Sequence, residues 1–106
     1  MNTRGKRILV TGGSGYIGSK LIEKLTALKY DVINVDLKET RANVPTEIAS
    51  VTDRHRLRQV FEKFLPQVVV HCAGGTAISY KQDPVREFNI QFVGTQNIVN
   101  ASNETG

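Results

Sequence analysis

Two hydrophobic spacings alternate along the chain. Short apolar runs recur at Ile8-Leu9-Val10, Val32-Ile33-Asn34-Val35 and Val68-Val69-Val70, with a weaker one flanked by Ile48 and Val51. Runs rich in β-branched residues and lacking polar alternation suit strands covered on both faces. Between them the period is helical. Ile17, Leu21, Leu25 and Leu28 share one face, with Lys20, Glu23, Lys24 and Lys29 largely elsewhere. Leu57, Val60, Phe61 and Phe64 follow Asp53, a good N-cap residue, and Pro66 stops that helix. Phe88, Phe92, Thr95 and Val99 mark a third helix, with Pro84 suited to its first turn. Residues 38–47, charged and broken by Pro45, predict a loop.

The predicted order is β-α-β-β-α-β-α. Such alternation requires right-handed crossovers and a parallel sheet with helices on both faces. The fold class is α/β, a doubly wound sheet of four strands in the order 3-2-1-4. With 106 residues the chain suffices for one domain, residues 1–106, and not for two.

Composition changes this picture little. Hydrophobic residues make up 40% and charged residues 23%, ordinary for a globular protein, and no apolar run reaches a membrane span. The single cysteine, Cys72, excludes an internal disulfide and suits a reducing cytoplasm. The net charge of +4 includes a local cluster, Arg54-His55-Arg56-Leu57-Arg58. No aromatic residues interleave with it, so it reads as a solvated helix face rather than a nucleic-acid surface.

The chemistry lies in Thr11-Gly12-Gly13-Ser14-Gly15-Tyr16-Ile17-Gly18, which leaves the first strand and opens the first helix. In the spacing Gly12-x-x-Gly15-x-x-Gly18, the first glycine permits a tight turn. The second admits a pyrophosphate to the backbone, and the third permits close packing of the helix. The helix N-terminus adds free N–H groups and a partial positive charge. Asp36 ends the second strand, 18 residues after Gly18, close to the spacing of an acid that binds a dinucleotide ribose. A carboxylate there repels a 2′-phosphate and favours NAD over NADP, although Lys38 and Arg41 lie close by in sequence.

These residues together resemble the extended short-chain dehydrogenases, the NAD-dependent sugar epimerases and dehydratases. The TGxxGxxG signature matches residues 11–18. Val35-Asp36-Leu37, Val70-His71-Cys72-Ala73-Gly74 and Gly94-Thr95-Gln96-Asn97-Ile98-Val99 follow in the family's order. The resemblance implies that Gly12, Gly15, Tyr16, Ile17 and Gly18 line the pyrophosphate. It places Asp36 on ribose with Leu37 beside it, and Ala73 and Gly74 under the nicotinamide-side ribose. Ser50-Val51 stands where many members carry an Asp-Ile or Asp-Val pair at adenine. A serine accepts there without charge assistance. Gln91 replaces a common Asn, with Asn89 two positions earlier, and Tyr80, adjacent to Ser79, replaces a Ser.

The resemblance further implies transient hydride transfer on a nucleotide sugar, with a Tyr-x-x-x-Lys pair and a Ser or Thr handling the proton. Those groups follow a fifth strand, and residues 1–106 end before it. Tyr16-x-x-x-Lys20 fits the spacing but lies on the cofactor loop and first helix, so no catalytic residue is assigned. His71-Cys72 has no acid nearby in sequence and reads as packing, and no spacing suggests a metal. Two other readings remain: a non-catalytic NAD-sensing module, and a structural or interaction domain. An apolar fourth strand without its usual neighbour also predicts self-association into a homo-oligomer.

Overall fold

The computed structural model of the chain describes residues 6–39, 43–73 and 81–105. Four strands, β1 (Arg7–Thr11), β2 (Asp31–Asp36), β3 (Thr46–Ile48) and β4 (Val68–His71), form one sheet in the order β3-β2-β1-β4. Every pairing is parallel; Val10 lies opposite Asn34 and Val70, and Thr11 opposite Val35 and His71. Three helices join or follow them: α1 (Tyr16–Ala27), α2 (Arg54–Phe64) and α3 (Pro84–Thr105). This is the Rossmann-like α/β arrangement expected from the alternating periods, and the reversal of strand order falls between β1 and β4. None of the helices described is long and apolar enough to cross a membrane.

Alternation along β1 divides the core. Ile8 and Val10 pack with Val32 of β2 and Ile22 of α1 on one face. Leu9 points the other way, into a larger cluster with Val35, Ala49, Val51, Leu57, Val60, Phe61, Ile98 and Ala101 beneath α2 and α3. Full burial of a side chain such as Leu9 or Phe61 is worth about 1.5–3 kcal/mol, so these two clusters hold the helices to the sheet.

Asp53 caps α2, its carboxylate accepting from the Arg56 N–H at 3.0 Å. The helix ends at Leu65 in the left-handed region (φ 49°), just before Pro66. Its basic residues are solvated and ion-paired. Arg56 and Lys63 meet Glu47, Arg58 meets Glu62, and Arg54 and Arg58 both approach Glu104.

Several expectations need correction. The buried residues of α1 are Gly18 and Ile22, whereas Ile17 and Leu28 are exposed. The apolar stripe at the start of the helix is rotated because Ile17 stands at a cleft mouth. The loop read over 38–47 gives way to β3 at Thr46, and Val51 lies in a buried turn after the strand. Phe88, Phe92 and Val99 face outward on α3, the two phenyl rings stacked at 5.5 Å. The buried face of α3 instead carries Glu87, Gly94, Asn97, Ile98 and Ala101. At Gly94 an added Cβ would lie 2.6 Å from Val51 Cγ2, and Asn97 Nδ2 donates to Val51 O at 3.0 Å. Close packing and one buried hydrogen bond set the rotation of α3, not its bulkiest apolar residues. As expected, by contrast, β4 pairs only with β1 among the described residues, and Val68 is exposed.

Candidate functional site

The carboxyl ends of the strands border a cleft of about 760 Å³. That volume is within the usual range for small-molecule sites. Its lining includes Gly12, Gly15, Tyr16, Ile17, Gly18, Asp36, Leu37, Ser50, Val51 and Ala73, every residue expected at the cofactor that the structure describes. Gly74, the remaining expected residue, lies outside the described residues, as do Arg41, Ser79 and Tyr80. Lys38, His71, Cys72, Arg86, Glu87 and Gln91 also face the cleft. A neighbouring hollow takes in Asn89 and shares Leu37, Ser50 and Arg86 with it.

The glycine loop is shaped by two separate demands. Gly12 has φ +72°, and a Cβ there would stand 2.7 Å from Ala73 N, so both backbone angle and proximity require glycine. Gly13 and Gly18 are likewise crowded by protein, against Asn34 with Ile22 and against the Gly12 backbone. Gly15 is different. Its backbone is extended (φ −83°, ψ −180°), and an added Cβ would meet only Gly12 O, at 3.4 Å. Protein packing gives no reason for a glycine at that position, whereas a ligand approaching the backbone does.

Gly15 is also the N-cap of α1 and gives it no side-chain hydrogen bond, and the first turn of α1 has no acid. By contrast, Asp53 and Asp83 each accept an N–H at the start of α2 and α3. The first N–H groups of α1 thus remain open toward the cleft, the arrangement that binds phosphate. Backbone free of a side chain, unpaired donors and a helix dipole fit a pyrophosphate.

Side chains from other strands hold this loop. Asn34 is fully buried in β2, and its Oδ1 accepts from the Gly13 N–H at 2.8 Å. Asp36 Oδ2 accepts from the Ser14 N–H at 2.8 Å, and Oδ1 from the Leu37 N–H at 2.6 Å. Ser14 Oγ donates to Lys38 O. Asp36 therefore stands beside the glycine turn, oriented by two amides, with lone pairs remaining for a ribose diol. Ser50 Oγ is paired with Thr52 Oγ1 at 2.7 Å.

Thr11 performs the matching task for β4. Its hydroxyl accepts from the Ala73 N–H and shares that of Cys72, fixing the backbone beside Gly12. With its lone pairs engaged by amides, the hydroxyl hydrogen is left for His71 Nδ1. The ring proton is thereby assigned to Nε2. Burial pushes the His71 pKa below the ordinary value and the Cys72 thiol above its own. A thiol whose ionisation is suppressed is a poor nucleophile, and His71 Nδ1 is tied to the Thr11 hydroxyl. Tyr16 and Lys20 are both exposed on α1. Asn34, Thr11 and Glu87 were absent from the expected site. Thr11 carried a signal as the first residue of the TGxxGxxG stretch, and Asn34 as a polar residue inside an apolar run.

Residues 8–106 match the NAD dependent epimerase/dehydratase family. The UDP-glucose 4-epimerase of Thermus thermophilus, solved with NAD, superposes with a TM-score of 0.84 and 31% identity over 94% of this chain and 34% of that one. The Thermotoga maritima UDP-glucose 4-epimerase, solved with UDP-glucose, gives 0.85 and 29%, over 94% and 35%. An L-threonine dehydrogenase from Clostridium difficile gives 0.87 and 26%, over 96% and 34%. The chain thus spans about a third of the length of the curated relatives and structures it matches. With the match running from β1 through α3, and the glycine turn, acidic strand end and β4 exit in the positions described, the chain belongs to the NAD-dependent epimerase/dehydratase family.

Proposed function

We propose that residues 1–106 form the NAD-binding domain of an epimerase or dehydratase acting on a nucleotide sugar by transient hydride transfer. The observation that carries this reading is Gly15, a glycine that the protein's own packing does not require, capping an open helix end at the cleft. In this reading Gly12, Gly15, Tyr16, Ile17 and Gly18 hold the pyrophosphate, and Asp36 and Leu37 the adenosine ribose. Ser50 and Val51 take the adenine side, and Ala73 and Gly74 the nicotinamide-side ribose. NAD, when bound, supplies the hydride acceptor. The chain's own residues bind it, orient it and limit its choice to the unphosphorylated dinucleotide through Asp36. No residue of this chain is assigned to the proton transfers.

The likeness to epimerases solved with NAD and with UDP-glucose supports both cofactor and substrate class. A dehydrogenase of a smaller, non-nucleotide substrate is the second reading, favoured by the equally close superposition of the threonine dehydrogenase. The exposed apolar edge of β4 supports self-association, which light scattering over a concentration series reports. Calorimetric titration with NAD tests the binding reading. Saturation near 100 times Kd should add about 2.7 kcal/mol of stability. Absence of both heat and thermal shift refutes it. Turnover assays on the parent protein with UDP-glucose and L-threonine separate the two substrate readings.

A further inference from the structure

Every described carboxylate bordering the cleft has its oxygens paired except one. Asp36 receives an amide on each oxygen. Glu87, in the first turn of α3, is only 3% exposed, yet its Oε2 has no hydrogen-bond partner among the described residues. The Arg86 guanidinium stands 3.9 Å from Oε1, beyond hydrogen-bond reach. The same cleft is lined by His71, whose Nε2 is a second orphan among the described residues. The Thr11 hydrogen bond makes that atom a donor, whereas Glu87 Oε2 is an acceptor. Buried polar atoms without partners are rare in folded proteins, and two of opposite role on one cleft suggest a ligand that both gives and takes hydrogen bonds.

We infer that Glu87 is a recognition residue for the nucleoside portion of the bound dinucleotide, accepting from a ligand N–H or O–H while His71 Nε2 donates to a neighbouring ligand atom. The inference rests on the dinucleotide reading above and adds to it a second acid. Phosphates cannot serve, since they only accept and carry charge of the same sign. A ribose diol and the amine edge of adenine both offer the required pairing. Both orphan atoms are buried, so contact needs a turn of the Glu87 side chain about its terminal bonds and a small shift at the His71 ring.

The test is calorimetric titration of NAD into the unaltered chain, E87L and E87Q, with thermal melts of each without ligand. E87L removes an unpaired buried carboxylate, so its melting temperature should hold or rise. Its Kd for NAD should nevertheless rise about tenfold, the loss of one hydrogen bond to a charged group. E87Q, which keeps shape and an acceptor but not the charge, should weaken binding about threefold and serves if E87L does not fold. Kd values within twofold of the unaltered chain in both variants would overturn the role of Glu87. Failure of the unaltered chain to bind NAD would instead overturn the reading of the cleft. Repeating the titration with nicotinamide hypoxanthine dinucleotide, which lacks the adenine amine, identifies the donor. A tenfold loss retained in E87L points to ribose, and a loss abolished points to the amine.

Discussion

Replacement of Gly15 by serine should push folding and binding in opposite directions. The backbone at Gly15 (φ −83°, ψ −180°) is already what an N-cap serine adopts, and the nearest atom to a new Cβ is Gly12 O at 3.4 Å. Lost freedom of the unfolded chain stabilises by about 0.4–1 kcal/mol. A serine cap improves on glycine by a few tenths of a kcal/mol. Together these give about 1 kcal/mol, or a rise of about 4–8 °C in Tm for a domain of this size. The same hydroxyl would take an α1 N–H and occupy the space proposed for pyrophosphate. Losing one hydrogen bond to a charged group costs about 1.5–3 kcal/mol, so NAD should bind G15S about 10- to 100-fold more weakly. Differential scanning fluorimetry and calorimetry read both effects on one sample. A Kd within twofold of the unaltered chain would refute the placement of the phosphates. A fall in Tm of several degrees would refute the claim that the protein leaves Gly15 room for a side chain.

In D36A the Ser14 and Leu37 amides lose their acceptor, and the preference for NAD over NADP should collapse toward parity, as parallel titrations would show; a preserved preference places the selectivity elsewhere. Stability should also depend on His71. Burial lowers its pKa below the usual 6.5, so the folded state holds the neutral ring and the unfolded chain binds the extra proton. That contribution is complete above pH 6.5 and is lost as pH falls through 6.5 toward the lowered value. Urea denaturation between pH 8 and 5 should show the decline, and H71N, whose amide oxygen can still accept from Thr11, should flatten it; equal slopes would discount His71. Glu47, whose pKa is lowered chiefly by its hydrogen bond to Lys63, contributes in a separate and more acidic window, lost as pH drops below about 4.5. Replacing it by alanine should remove two surface ion pairs and cost at most about 1 kcal/mol in thermal melts near neutral pH.

Strand order, helix positions and the glycine cradle were legible because each depends on local signals. Apolar runs, Asp53 with Pro66, and the glycine–acid spacing all act over short stretches. What escaped depends on contacts distant in sequence. The outward turn of Phe88 and Phe92 follows from Gly94 packing on Val51 and from Asn97 bonding to its carbonyl. Periodicity alone cannot weigh a small residue and one buried amide against two phenyl rings. Asn34 passes as part of the apolar run Val32-Ile33-Asn34-Val35, because its partner, the Gly13 amide, lies 21 residues away. The edge position of β4 among the described strands runs against its three valines, which suggest a central strand.

The ties from Asn34, Asp36 and Thr11 bear on how such a cradle can be moved between proteins. Grafting TGGSGYIG onto another strand–helix junction would carry the glycines without the outside struts that aim their amides. A working transplant therefore has to include a polar residue inside the adjacent strand and an acid at that strand's end. The smallest portable unit is thus a βαβ module with its own internal scaffolding, not an eight-residue loop.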